Sequence, residues 1–451
     1  MRVVVIGAVA AGMSAASQAR RRDASAEVIV LEGGHDVSYG ACGMPYNLSD
    51  PARDIDDLVV MTAAEFREAR GIDLRTGHTV TAVDTAAKTV AVTPEGAPPY
   101  TLGYDKLIFA TGARAFVPPL EGVDLEGVFV LRSLRDGARL KAALAGGGAT
   151  RAVILGGGYI GLEMAESLTL RGLAVTLVEQ APTLLPGFEA PIVKRVAETL
   201  AAHGVAVHTG ARVSQITRGD GGLTVHTDAA RFEADLVLVA VGVRPNSALA
   251  EGAAIALGAR GAIAVNARCE TSAPDVYAAG DCAESLDRVS GQKVWVPLGT
   301  TANKQGKVAG ANAVGADTSF AGIVSTAAFK VFELEVGRTG MGRSELSATG
   351  REAQFAASNQ GSRASSYGHV ERLDTVLCFD PDSGRLLGAQ MAGREGVAGR
   401  INVFATALSA AMTLDDVASL DLAYAPPLAP VYDPVLIAAA VAQKAREGRR
   451  G

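Results

Sequence analysis

A single cysteine stands in a segment that could activate its thiol. Cys42 is flanked by Gly40 and Gly43, and Pro45 follows shortly after. Proline is tolerated in the first turn of a helix, so this pattern predicts a helix that begins near Cys42. The positive end of a helix stabilises a thiolate, so we expect a lowered pKa for this thiol. Because no second cysteine lies near it in sequence, Cys42 can cycle only through a small molecule, as a mixed disulfide or a sulfenic acid.

A cysteine can also be a small buried apolar residue. The glycines beside Cys42 would let a planar group approach closely, and this favours a redox role there. Cys269, Cys282 and Cys378 lack such surroundings, and we interpret them as structural. Neither the cysteines nor the six histidines have the spacing of metal ligands, so no metal site is predicted.

The sequence contains two similar units, each made of an apolar strand, a glycine turn and a helix. Such units could bind the cofactors that a redox reaction at Cys42 needs. The turn reads G-x-G-x-x-G in the second unit, whereas Val9 replaces the middle glycine of the first. Glycine lets the backbone approach a pyrophosphate, and the following helix directs free N–H groups toward it. The next strand of each unit ends in a glutamate that can accept hydrogen bonds from ribose hydroxyls. The residues of the two patterns are Gly7, Gly12 and Glu32, then Gly156, Gly158, Gly161 and Glu179.

Two dinucleotide sites in one chain imply an electron carrier in one unit and a nicotinamide in the other. Glu179 favours NADH over NADPH, because a carboxylate would repel a 2′-phosphate. No lysine or arginine follows it before Lys194 to offset that repulsion.

The order of strands and helices predicts an α/β protein of three domains. Two are Rossmann-like dinucleotide-binding domains, and the first is interrupted by the second. The third changes to alternating, antiparallel strands followed by helices, which is typical of an α+β domain. The predicted domains are 1–114 with 245–315, 115–244, and 316–451.

Composition excludes several classes of function. The 451 residues include 42 Lys and Arg against 48 Asp and Glu, so no basic excess favours nucleic acid or an anionic membrane as a partner. No apolar run reaches the roughly 18–20 residues of a membrane span. The segment Val3–Met13 imitates a secretory signal, but Gly7 and Gly12 interrupt it and favour a strand with a glycine turn. Few cysteines at long separations predict a cytoplasmic protein.

With these features the sequence resembles the single-cysteine flavoprotein disulfide reductases that use pyridine nucleotides, and among them it is most similar to the coenzyme A-disulfide reductases. The resemblance covers nearly the whole chain and implies FAD in the first Rossmann-like domain, NAD(P) in the second, and a homodimer formed through the C-terminal domain. Its motifs are Gly7–Arg22, Ser38–Tyr46, Ala110–Arg114, Gly156–Gly161, Gly242–Asn246, Tyr277–Glu284, Pro297–Gly310 and Tyr424–Pro427.

The resemblance also assigns residues to each ligand. For FAD they are Gly7, Ala8, Ala10, Gly12, Glu32, Thr111, Gly112, Gly280 and Asp281. For NAD(P)H they are Gly156, Gly158, Tyr159, Ile160, Gly161, Glu179 and Gly242, with Tyr159 covering the flavin until the nicotinamide displaces it. For coenzyme A they are Ser14, Gln18, Arg21, Ser38, Arg70 and Asn303. Tyr424 and Tyr367 would reach the active site of a partner subunit, where either could protonate the leaving thiol.

The implied reaction carries electrons from NAD(P)H through FAD to a mixed disulfide between Cys42 and coenzyme A, and so reduces coenzyme A disulfide. Reduction of a coenzyme A persulfide or a polysulfide would use the same residues. An NADH oxidase or peroxidase would instead use a Cys42 sulfenate, and such relatives carry a histidine in the loop where this chain has Ala10 and Ala11. A flavoprotein that feeds an iron–sulfur protein, or one that only signals, would not need Cys42. Ala41 stands where some coenzyme A-type members have asparagine, so this chain lacks a possible contact with the substrate, and its substrate preference can differ from theirs.

Overall fold

The computed structural model describes residues 1–219 and 221–450. Its strands are β1 (Arg2–Ile6), β2 (Glu27–Leu31), β3 (Asp73–Arg75), β4 (His78–Asp84), β5 (Thr89–Pro94), β6 (Tyr100–Gly103), β7 (Lys106–Phe109), β8 (Ala113–Ala115), β9 (Val128–Phe129), β10 (Arg151–Leu155), β11 (Ala174–Glu179), β12 (Ala206–Thr209), β13 (Val213–Gly219), β14 (Gly222–Thr227), β15 (Arg231–Ala234), β16 (Leu236–Val239), β17 (Val243–Pro245), β18 (Val276–Ala278), β19 (Ser285–Leu286), β20 (Lys293–Val294), β21 (Ala327–Val331), β22 (Leu334–Gly340), β23 (Gln354–Gly361), β24 (Arg372–Phe379) and β25 (Leu386–Gly393). Its α-helices are α1 (Ala10–Arg22), α2 (Met44–Leu48), α3 (Ala63–Arg70), α4 (Leu134–Ala145), α5 (Tyr159–Leu170), α6 (Ala190–Ala202), α7 (Ala248–Gly252), α8 (Gly299–Ala313), α9 (Arg343–Thr349), α10 (Val397–Ser409), α11 (Leu414–Ala418) and α12 (Pro434–Arg450).

The first sheet is parallel, with the strand order β18–β7–β1–β2–β3. Its central strand β1 is an apolar run, and Val3, Val4 and Val5 are fully buried, as is typical of a sheet covered on both faces. Helices α1 and α8 pack so closely that a Cβ atom at Gly306 or Gly310 would collide with the backbone of α1. Glycine at these two positions therefore sets the distance between the helices.

The second sheet repeats this arrangement in the order β12–β11–β10–β16–β9, again with parallel strands. The equivalent glycines bond in the same way, since Gly7 N–H donates to the carbonyl of Leu31 and Gly156 N–H to that of Val178, each at 2.8 Å. The chain enters and leaves this unit through β8 and β17, which pair antiparallel. Strand β18, which joins the edge of the first sheet, thus follows the second sheet in the chain. The predicted limits of the domains remain a prediction.

The C-terminal sheet is antiparallel, in the order β21–β22–β25–β24–β23. Strand β25 is buried along its whole length, and α10 and α12 pack with this sheet around Phe379, Phe404 and Val435. Smaller antiparallel sheets are formed by β4–β6, β13–β15 and β19–β20. The predicted fold class, two Rossmann-like units and a C-terminal α+β unit, is confirmed.

Candidate active site

Both glycine turns have a backbone that favours glycine. Gly7 and Gly156 have φ angles of +105° and +109°, and a Cβ atom at either would collide with a carbonyl oxygen at the end of a neighbouring strand. A Cβ atom at Gly12 or Gly161 would collide with the carbonyl oxygen of the first glycine of its own turn. These four glycines therefore let each helix begin directly against its strand.

The backbone conformation at the middle position of the glycine pattern does not require glycine. Val9 and Gly158 occupy it, each as the residue before a helix, with φ angles of −104° and −86°. A Cβ atom at Gly158 would meet no atom within 4 Å. Valine in the first turn therefore introduces no backbone strain.

The two glutamates brace their own turns in the same way. Glu32 accepts a hydrogen bond from the N–H of Ala8 at 2.8 Å, and Glu179 accepts one from that of Gly157 at 2.6 Å. Each carboxylate also accepts the N–H of the residue two places later. Carboxylate oxygens with one such bond can still accept a ribose hydroxyl. The turn, helix and carboxylate present in both units fit two dinucleotides, FAD and NAD(P)H.

One cleft of about 1580 Å³ runs along both units. The predicted residues that line it are Ala10, Ser14, Arg21, Ser38, Cys42, Arg70, Gly112, Gly156, Gly158, Tyr159, Ile160, Glu179, Gly242, Asp281 and Asn303. The predicted residues outside its lining are Gly7, Ala8, Gly12, Gln18, Glu32, Thr111, Gly161, Gly280, Tyr367 and Tyr424. Several residues of this second set lie behind the wall of the cleft and support it, among them Gly7, Gly12 and Glu32.

The Cys42 thiol is exposed to this cleft. It lies in the 3-10 turn Ala41–Gly43, and α2 begins directly after that turn, so the prediction of a helix near Cys42 is confirmed. The other three cysteines, Cys269, Cys282 and Cys378, are buried, as the sequence predicts.

The predicted lowering of the Cys42 pKa is wrong. Desolvation raises the pKa of this thiol, the carboxylates of Glu163 and Asp281 raise it further, and Arg132 opposes them. Helix α2 has only five residues, so its dipole is small, whereas the two carboxylates act directly on the sulfur. Neither carboxylate is near Cys42 in sequence, which is why local spacing did not reveal them.

Two cations hold the C-terminal end of α2. The Lys141 ammonium donates to the carbonyls of Asn47 at 3.3 Å and Asp50 at 3.2 Å, and Arg171 donates to the carbonyl of Leu48 at 3.4 Å. Cations satisfy the open carbonyls at the end of a helix and complement its dipole. These contacts from α4 and the end of α5 fix the helix that follows Cys42.

Arg132 is a cleft residue that the sequence did not reveal. Its Nη2 donates to Asp281 Oδ2 at 2.7 Å and its Nε donates to the carbonyl of Ala113 at 3.0 Å. Burial raises the pKa of Asp281, and the charge and hydrogen bond of Arg132 oppose that rise. The pair offers both acceptors and donors to a cofactor with hydroxyl and phosphate groups.

Tyr159 begins α5 and stands on the wall of the cleft. Its ring centroid lies 4.9 Å from that of Phe329 and 6.0 Å from that of Phe188. Phe329 belongs to β21, so the side chain predicted to cover the flavin rests on the C-terminal sheet.

Glu163 is a second cleft residue that the sequence did not reveal. It lies one turn after Tyr159 on α5, and it accepts a hydrogen bond from the hydroxyl of Tyr46 at 2.8 Å. This bond joins α5 to α2, the helix that follows Cys42.

Besides Arg132 and Arg212, the cleft is lined by Arg21, Arg70 and Lys307, which we call the cation group. Arg21 donates to the side chain of Gln18 at 2.7 Å, and Arg70 donates to that of Ser17 at 3.2 Å. Within residues 1–219 and 221–450, no member of the group forms a salt bridge with a carboxylate. Their positive charge is therefore available to an anion in the cleft.

The close packing of α1 and α8 brings two further predicted residues together. Ser14 Oγ donates to Asn303 Oδ1 at 2.7 Å. Lys307 lies one turn beyond Asn303 on α8, and this spacing places both on one side of the helix. The sequence did not single out Lys307.

Tyr367 and Tyr424 do not line the cleft of their own chain. They are 56% and 50% exposed, and their segments are joined by a hydrogen bond from Ala364 N–H to the carbonyl of Pro426 at 3.2 Å. Large apolar side chains that follow Tyr424 are exposed as well, namely Leu428, Val431 and Tyr432. Such an apolar patch is typical of a surface that another protein covers.

Across the described part of the chain, no helix is both long and apolar enough to cross a membrane. The same residues contain no group of three or more His, Cys, Asp or Glu side chains that could hold a metal ion.

Comparison with known proteins places these features in a family context. The model of the pyridine nucleotide-disulphide oxidoreductases matches residues 1–306, and that of their dimerisation domain matches residues 326–434. An NADH oxidase of Methanocaldococcus jannaschii is 34% identical over 98% of this chain and 99% of that protein. A coenzyme A disulfide reductase of Staphylococcus haemolyticus is 29% identical over 94% of this chain and 96% of that protein. The structure of an NAD-dependent persulfide reductase from A. fulgidus has a TM-score of 0.96 and 38% identity, covering 99% of this chain and 84% of that one.

Proposed function

The chain belongs to the pyridine nucleotide-disulphide oxidoreductase family, and from that premise we propose that it reduces coenzyme A disulfide with electrons from NAD(P)H. The predicted family is thereby confirmed, and with it an enzyme that uses FAD and NAD(P)H. The proposed reaction converts one coenzyme A disulfide, one NAD(P)H and one proton into two coenzyme A thiols and NAD(P)⁺.

The proposal depends mainly on one arrangement: Cys42 shares a single cleft with both dinucleotide turns and with the cation group. Coenzyme A carries a thiol at one end and several phosphates at the other, so it needs both a reactive sulfur and cations. Arginine is well suited to phosphate, because its fork of donors matches the phosphate oxygens. The unpaired charges of the cation group support a phosphate-bearing disulfide over a neutral one.

Cys42 performs the covalent step in this proposal. Its thiolate attacks one sulfur of coenzyme A disulfide, the S–S bond breaks, and the first coenzyme A leaves as a thiolate that takes up a proton. The product is a mixed disulfide between Cys42 and the second coenzyme A. FAD, when bound, supplies two-electron chemistry that links the nicotinamide to this disulfide. Two electrons and a proton then release the second thiol and regenerate the Cys42 thiolate.

We further propose that the chain acts in the cytoplasm as a homodimer, in which Tyr367 and Tyr424 serve the partner's cleft. Both tyrosines are exposed on the C-terminal domain and outside their own cleft. A hydroxyl from the second subunit could then donate the proton to the leaving thiolate.

Reduction of a coenzyme A persulfide is a second candidate, because a protein named as a persulfide reductase has the same fold at 38% identity. It would use the same thiol and the same cation group. An NADH oxidase activity is the third, because the relative from M. jannaschii carries that name.

Intact-mass spectrometry of the purified oxidised chain, before and after treatment with a thiol reductant, tests the proposal. We expect an adduct with the mass of coenzyme A on Cys42 that disappears on reduction. A gain of one oxygen on Cys42 instead would favour the oxidase or peroxidase. Steady-state NADH consumption with coenzyme A disulfide, the persulfide or oxygen then ranks the three candidates.

A further inference from the structure

Glu163 is a cleft residue that the proposed reaction leaves without a role. It lies one turn into α5, and it lines the cleft together with Cys42. The phosphates of a dinucleotide bind where such a helix begins, and Glu179 marks the adenosine end of the molecule. We therefore expect the nicotinamide end to extend along the wall that carries Tyr159 and Glu163.

The hydrogen-bond partner of Glu163 carries no charge. Tyr46 donates a hydrogen bond to Oε1 at 2.8 Å, and this donor is neutral. Lys330 lies 5.6 Å from the centre of the Tyr46 ring, but its ammonium bonds to Glu166 and to the carbonyl of Phe332. Within the described ranges, no cation forms a salt bridge with Glu163.

Both protonation states of Glu163 are accessible near neutral pH. The pKa of Glu163 is raised to about 7, because burial and the charge of Glu166 together outweigh the opposing effects of Tyr46 and Lys330. Cys42 is a further titratable neighbour, and the charge of Glu163 raises its pKa.

We propose that Glu163 is the residue that distinguishes the oxidised from the reduced nicotinamide in this cleft. The oxidised ring carries a positive charge and the reduced ring carries none, so an ionised Glu163 attracts only the oxidised form. An opposite charge within about 4–6 Å changes a carboxyl pKa by roughly 1–3 units. Because such coupling is reciprocal, the oxidised nucleotide binds about tenfold or more tightly once Glu163 is ionised. The inference rests on the proposed function, since it requires the nicotinamide to bind at the second unit.

The direction of the pH dependence follows from the charge. Below the pKa of Glu163 the carboxyl is protonated and neutral, so it gives the oxidised nucleotide no advantage. As the pH rises through that pKa, the affinity for NAD⁺ increases while the affinity for a neutral nicotinamide analogue does not. Near neutral pH, NAD⁺ binding also expels a proton from Glu163.

Equilibrium binding to the FAD-loaded chain tests this inference. The probes are NAD⁺ and 1,4,5,6-tetrahydro-NAD, an analogue whose reduced nicotinamide ring is uncharged and cannot donate a hydride. Over a range from about pH 5.5 to 8.5, we expect NAD⁺ to bind about tenfold more tightly at the alkaline end and the analogue to change little. Calorimetry in two buffers with different enthalpies of ionisation measures the proton that NAD⁺ releases. In Glu163→Gln, we expect the pH dependence and the proton release to disappear.

Two further variants separate this role from a structural one. Tyr46→Phe removes a hydrogen bond that favours the ionised carboxylate, so the midpoint of the NAD⁺ profile should move to higher pH with its amplitude kept. Glu198→Gln, on the exposed side of α6, is the matched control and should keep the profile of the unmodified chain.

An NAD⁺ profile in Glu163→Gln that matches that of the unmodified chain would overturn the inference, as would a flat profile in the unmodified chain. Disulfide turnover is assayed separately. A chain with the expected binding profile but without coenzyme A disulfide turnover would support the role of Glu163 and refute the proposed substrate.

Discussion

Arg132 Nη2 lies 2.7 Å from Asp281 Oδ2, and this contact joins two segments that are distant in the chain. Asp281 follows β18, the last strand to enter the first sheet, and Arg132 precedes α4. Both side chains line the cleft at the carboxyl ends of parallel strands, where open α/β sheets bind their ligands. The contact therefore holds a carboxylate and a guanidinium at the expected FAD site.

Replacing Arg132 by alanine should weaken FAD binding about tenfold or more. The variant leaves the Asp281 carboxylate partly buried without its cation, and such a loss costs about 1–3 kcal/mol. Flavin fluorescence during titration of the FAD-free chain measures the change. Arg135→Ala, an exposed arginine on α4, is the control and should bind FAD normally. Equal FAD affinity in the two variants would show that the contact between Arg132 and Asp281 does not contribute to FAD binding.

Replacing Cys42 by serine should abolish disulfide turnover while the chain still oxidises NADH at its flavin. A serine hydroxyl cannot form a mixed disulfide, whereas the two dinucleotide turns are unchanged. Stopped-flow bleaching of the flavin absorbance by NADH, without oxygen, measures the retained half-reaction. Cys378→Ala removes a buried thiol far in sequence from the cleft and should keep turnover. Substantial disulfide turnover in Cys42→Ser would exclude Cys42 as the nucleophile.

Removing one member of the cation group should raise the KM for coenzyme A disulfide about tenfold. Hydrogen bonds to charged groups contribute about 1.5–3 kcal/mol, and solvent exposure reduces this for all three members of the group, which are exposed. The kcat/KM for a small disulfide without phosphates should not change, and this comparison separates recognition from chemistry. Arg22→Ala, an exposed neighbour outside the cleft lining, is the control. An equal loss with both disulfides would contradict phosphate recognition.

Local patterns in the sequence were sufficient to predict the two dinucleotide units. The glycines, the strands before them and the glutamates after them are all fixed by neighbours in the chain. Even the exception at Val9 has a local reason, since that position has an ordinary backbone. Cys42 was predicted because its segment combines glycines with a helix start.

Residues brought to the cleft from distant segments could not be predicted in this way. Arg132, Glu163 and Lys307 have no distinctive neighbours in sequence, and their roles follow from which elements meet. The predicted pKa of Cys42 was wrong for the same reason, because Glu163 and Asp281 approach the thiol through tertiary structure.

The contact of α1 with α8 predicts a cost in stability for Gly306→Ala. The added Cβ atom would collide with the carbonyl oxygen of Ala11, so one helix must move. Overpacking of this kind destabilises a protein by about 1–3 kcal/mol. We expect a lower midpoint of thermal unfolding and weaker FAD binding. Gly252→Ala is the matched control, because a Cβ atom there meets nothing within 4 Å, and an unfolding midpoint equal to that control would contradict the close packing.

The charge near Cys42 predicts how its thiol responds to pH. Burial and the carboxylates of Glu163 and Asp281 raise its pKa, so the thiolate should form at higher pH than in an ordinary cysteine. Alkylation by iodoacetamide, followed by mass spectrometry of the FAD-loaded and reduced chain, should therefore be slow at neutral pH and accelerate as the pH rises. Glu163→Gln removes one negative charge, which lowers the Cys42 pKa and should speed alkylation about twofold to tenfold at a fixed pH near 8. Glu198→Gln should leave the rate unchanged, and a rate in Glu163→Gln no faster than in this control would mean that the charge of Glu163 does not raise the pKa of the thiol.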